Sequence, residues 1–132
     1  MKPLASSLTA LALIVTASAA DWPQFRGPGG LGVAADSAEV PSEFGPEKNV
    51  VWQVPLASGH SSPVLWGDRI FLTTFDAGKL SAVCLDRANG RTLWSRDIPA
   101  EKIEQVHRIG SPAAATPCRM ASACIFTSAR SG

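Results

Sequence analysis

The feature that most limits how this chain can fold lies just past Gly78, where two alternating runs, "KLSAVCLD" and "RTLWSRDIP", flank Asn89-Gly90. An Asn-Gly pair supplies positive φ without a Cβ clash, so the two runs predict an antiparallel hairpin. Asp86, ahead of the turn, is placed to bond its backbone in an Asx arrangement. Upstream, "SSPVLWGDRIFLTTF" splits into two short strands at Gly67-Asp68. Both alternate sets in "RIFLTTF" are β-formers, which asks for cover on both faces. "VVWQVPL" reads as a further strand that Pro55 ends or confines to an edge. The runs total about four strands, with no helical stretch long enough to cross between parallel ones, so the fold class is all-β and antiparallel. "PAEKIEQVHRI" places Ile103 and Val106 at i, i+3 and is compatible with one helical turn.

The first twenty residues carry Lys2, an apolar run from Leu8 to Val15, and small residues Ala17 to Ala20. This is the layout of a secretory signal peptide over 1–20, cut after Ala19 or Ala20. The run is short of the roughly 20 apolar residues a membrane span needs. No cysteine follows the cut, which argues against a lipid anchor and for a periplasmic or secreted product. Residues 21–48 are rich in Gly and Pro and predict an extended arm pinned by Trp22 and Phe25. With 132 residues there is room for one small domain at roughly 100–200 residues per domain. A net charge of +1 with interspersed signs gives no basic stripe, which argues against nucleic acid as a partner.

"SSPVLWGDRIFLTTF" and "SPAAATPCRM" match loosely at a spacing of roughly 50 residues, within the range of propeller arrays. On these residues the chain resembles pyrroloquinoline quinone (PQQ) repeat β-propellers. "GKLSAVCLDRANGRTLW" is similar to their blade motif, with Leu85, Asp86, Asn89, Gly90, Leu93 and Trp94 at its marked places. Asn89 stands where the family more often has Thr. "DWPQFRGP" resembles the arm that begins many exported members, and "HRIGSPAAATP" the lead into the next blade. The resemblance covers about residues 21 to 117. It implies a truncated propeller, about one four-stranded antiparallel blade (49–117) and the start of a second, whose motif Trp packs between blades.

Beyond Pro117 the resemblance stops, and "CRMASACIFTSARSG" carries neither period. One allowed set of codons for this tail, read two bases later, gives "PDGERVYIYFGSFG", the strand that a second blade would need there. The expectation is therefore that 118–132 is an out-of-frame, disordered tail on an N-terminal fragment, poorly stable alone.

Candidate sites are few. Three cysteines, Cys84, Cys118 and Cys124, are an odd set for an exported chain, so at least one is unpaired. Cys118-x5-Cys124 is poorly spaced for structural zinc and has only His60 and His107 to complete a site; the favoured reading is two out-of-frame residues with no role, and a disulfide between them is a weaker one. Cys84 sits among apolar strand neighbours as a small core hydrophobe. His107 is placed to face a propeller's central channel, though a loop or packing role is favoured. His60 lies in "SGHSS" without a nucleophile elbow, and "GPGGLG" neither follows a strand nor opens a helix.

No residue here matches a catalytic, cofactor-binding or metal-binding pattern. The favoured expectation is a non-catalytic binding or scaffolding module of the bacterial envelope, comparable to the outer-membrane assembly scaffold of this family, with protein or carbohydrate partners. The alternative is a fragment of a PQQ-dependent quinoprotein dehydrogenase, and PQQ and calcium enter only under that alternative. The adjacent cysteines of such enzymes do not occur in this sequence.

Overall fold

The structure is a computed structural model that describes residues 20–34, 41–100, 102–103, 105–120 and 123–126. The leader 1–19 lies outside the described residues. Four strands, β1 (Val64–Trp66), β2 (Arg69–Asp76), β3 (Lys79–Asp86) and β4 (Thr92–Asp97), form an antiparallel sheet in sequential order. The fold is all-β, and no α-helix occurs among the described residues. No helix there is long and apolar enough to cross a membrane.

Each turn follows from its residues. Gly67-Asp68 closes β1 on β2, with Gly67 at φ +55, and Asp21 of the arm accepts the Gly67 N–H at 2.7 Å. Ala77-Gly78 closes β2 on β3 with φ +47 and +79, the paired positive values that a type I′ turn requires. The β3–β4 connection is longer than the two-residue turn that Asn-Gly suggests, because only Gly90 has positive φ. It is a loop closed by Gly90 N–H to Asp86 C=O at 2.8 Å and by Asp86 N–H to Arg91 C=O at 2.8 Å. Asp86 also accepts the Ala88 N–H on its carboxylate, and Asn89 accepts the Arg91 N–H on its side-chain oxygen. The register shifts where Cys84 faces Trp94 and Leu85 faces Thr92, so Leu93 is the extra residue of a bulge.

Side chains alternate across the sheet. The register puts Val64, Phe71, Thr73, Ala82, Cys84 and Trp94 on one face, and Leu65, Ile70, Thr74, Val83 and Leu85 on the other. In β3 four successive residues, Ala82, Val83, Cys84 and Leu85, are buried, so the central strand is covered on both faces. In β2 full burial is confined to Thr73 and Thr74.

The first face is covered by the chain that follows the sheet. A 3-10 turn, Pro112–Ala114, is opened by Ser111, whose Oγ accepts the Ala113 N–H at 3.1 Å. It packs against β2 and β3, and Thr73 donates its hydroxyl toward the Ala113 and Ala115 carbonyls. Beyond it, β5 (Cys118–Met120) pairs with β6 (Ala123–Ile125). The expected out-of-frame tail over 118–132 falls in large part on residues outside the described set, 121–122 and 127–132. β5 lies at an edge offered by the arm: Trp22 exchanges both backbone bonds with Leu65, and Pro23 accepts the Arg119 N–H at 2.9 Å.

Three further readings change. Residues 50–56 form no strand; Trp52 instead donates its indole N–H to the Arg87 carbonyl at 2.9 Å. Phe25 is 60% exposed, so of the two arm aromatics Trp22 alone anchors it. The described residues between Pro99 and Ile109 hold no helical turn, because the chain there bends around a cleft.

Candidate binding cleft

The cleft is an open cavity of about 550 Å³ beside the C-terminal end of β2. Its near wall is the chain leading to β1: Phe75 N–H donates to the Ser58 carbonyl at 2.7 Å, and His60 N–H donates to the Ala113 carbonyl at 2.9 Å. Its far wall is the turn His107–Gly110, closed by Gly110 N–H to the His107 carbonyl at 2.7 Å. A Cβ on Gly110 would lie 3.2 Å from that carbonyl oxygen and 3.3 Å from Val106, so the turn is tight. Backbone bonds therefore hold both walls.

The lining brings together His60, His107, Arg108 and Ser111 with Phe75 and Val106. The two histidines are the only ones in the chain, and they come from loops 47 residues apart. Arg108 adds a planar guanidinium. Ser111 Oγ already accepts from Ala113 N–H, which leaves its proton for a second partner. No Asp or Glu stands among the described lining residues. The lining thus mixes hydrogen-bond donors with apolar side chains. Sequence reasoning joined the two histidines only as possible partners of Cys118 and Cys124, and missed their grouping with Arg108 and Ser111 around a cleft. A signal existed, since each precedes a Ser-Pro, in "HSSP" and in "HRIGSP", the two halves of the loose repeat.

The blade-motif residues gather elsewhere, around the β3–β4 loop. Leu85 is buried beneath it, Asp86 and Asn89 bond its backbone, and Leu93 is 39% exposed at the bulge. Gly90 is buried with φ +73, and an added Cβ would lie 2.5 Å from the Trp52 ring. Trp94 lies between Phe71 of its own sheet and Phe126, at centroid distances of 6.1 and 6.4 Å, with the Arg96 guanidinium over its ring. At the opposite edge Arg119 stacks on Trp66 at 3.4 Å.

Cys84 is buried, and burial pushes its thiol up; nearby Arg69 draws it down and Asp68 pushes it up again. Cys118 is half-buried and free. Cys118 faces Ile125 in the ladder while Cys124 faces Arg119, so the two cysteines are not cross-strand partners. Among the described residues no three of His, Cys, Asp and Glu gather as metal ligands would. Compared with family models, curated proteins and solved structures, the chain matches none.

Proposed function

We propose that this chain is a blade unit of an exported PQQ-repeat-type β-propeller, with the start of a following blade, acting as a non-catalytic binding or scaffolding module in the bacterial envelope. The observation that carries this reading is the position of Trp94. Its ring meets both Phe71 of the four-stranded meander and Phe126, the residue after β6, as a residue packed between two blades would. The sequential order of β1 to β4 and the Asp86 and Gly90 loop support the same reading. Propellers are built by repeating such sheets around a channel, and their loops supply binding surfaces.

The alternative reading, a quinoprotein dehydrogenase that holds PQQ with calcium, is separated from this one by measurement. The test is a titration of the purified protein with PQQ and calcium, following quinone absorbance and dye-linked oxidation of alcohols and aldoses. A parallel measurement passes envelope polysaccharide over the immobilised protein. Polysaccharide retention without dye reduction is the expected result, and quinone-dependent dye reduction would overturn the reading.

A further inference from the structure

We propose that the cleft between His60 and His107 binds a small organic anion, a carboxylate or phosphate head carried on an apolar body. The inference rests on the binding-module reading and names the ligand class. Three features carry it. First, the polar lining presents donors: the Arg108 guanidinium, two imidazoles that each bear at least one N–H, and the Ser111 hydroxyl proton. A guanidinium offers two parallel N–H groups, which match the two oxygens of a carboxylate or phosphate. Second, Arg108 forms no ion pair among the described residues.

Third, Phe75, Ile103, Val106 and Pro112 stand in the same lining, so a ligand with a hydrocarbon or ring body gains contact that an inorganic ion does not. The volume of about 550 Å³ falls in the range of small-molecule sites. The His60–Ala113 backbone bond ties one wall to the chain past the cleft, and the Gly110–His107 bond closes the turn of the other.

The experiment is a calorimetric titration of the full chain with benzoate, phenyl phosphate, inorganic phosphate and benzyl alcohol, repeated on Arg108→Gln and His107→Gln. Both positions are exposed, and circular dichroism checks that each variant keeps the sheet. At least one of the two aromatic anions is expected to bind, with Kd of about 1 mM or tighter. Benzyl alcohol and inorganic phosphate are expected to bind at least about tenfold more weakly, and each variant to lose about tenfold. If benzoate alone or phenyl phosphate alone binds, that head group defines the ligand. Equal binding of the alcohol, equal binding of inorganic phosphate, unchanged affinity in both variants, or no binding by either aromatic anion would each overturn the proposal. Failure is separable from failure of the module reading, because dye reduction with PQQ sinks the latter whatever the titration gives.

Discussion

Two tryptophans in this molecule lie against glycines, and they hold very different spans of chain. Trp52 covers Gly90 and Trp22 covers Gly27; both glycines are buried, with φ +73 and +69. Added Cβ atoms would lie 2.5 and 2.7 Å from the respective rings. The Trp52 contact joins residues 38 apart and is fixed by the indole bond to Arg87. It clamps the segment before the sheet onto the β3–β4 loop. The Trp22 contact spans five residues and folds the arm on itself before Trp22 pairs with Leu65. Similar local geometry therefore closes a long loop in one place and shapes a short bend in the other.

The sharpest way to break the comparison is Gly90→Ala. The new Cβ meets an aromatic ring at a residue held in the left-handed region, and both penalties fall on the loop that joins β3 to β4. Left-handed φ costs an alanine about 1–2 kcal/mol and overpacking about 1–3, so a loss of about 2–5 kcal/mol is expected. A denaturant midpoint followed by far-ultraviolet circular dichroism measures it. A loss confined to Trp52 fluorescence, with the midpoint unmoved, would show that the clamp is not coupled to the sheet.

Gly27→Ala carries the same two local penalties, but they fall on the arm. The expected global loss is smaller, about 1–2 kcal/mol, because the arm detaches before the sheet yields. Hydrogen exchange reads the difference: the Leu65 amide, which donates to Trp22, loses protection while the β2–β3 amides keep theirs. Loss of protection across β2 and β3 as well would make the two clamps equivalent.

What the sequence showed of this arrangement was its local part. The alternation around Asn89-Gly90, the Gly67-Asp68 turn and the Asp86 Asx bond are set by residues within a few positions of each other, and all are found. Both clamps were hidden. "VVWQVPL" carries strand residues, yet the slot beside β2 is taken by Ser58 and Ser61, which bond Phe75 and Thr73, so Trp52 is left to pack on a distant glycine. The β5–β6 ladder was hidden for a similar reason, since its partner Pro23 lies nearly a hundred residues upstream. The cleft was half legible: His60 and His107 each stood out as residues, but their convergence depends on backbone bonds that no periodicity marks.

The smallest expected effect separates the two penalties that the clamps combine. Gly78 has φ +79, close to Gly90 and Gly27, yet nothing lies within 4 Å of the position its Cβ would take. Gly78→Ala thus isolates the conformational cost, about 1 kcal/mol, with no ring to displace. The adjoining Ala77 already sits at φ +47, which shows that this turn accommodates a methyl group in the left-handed region. The difference between the Gly90→Ala and Gly78→Ala losses, measured under one set of conditions, then estimates what contact with Trp52 contributes. Equal losses would mean that Trp52 yields freely and that φ alone explains the glycine. A larger loss at Gly90 would mean that the tryptophan is held in place, and the Arg87 carbonyl, which accepts its N–H at 2.9 Å, is the group that holds it.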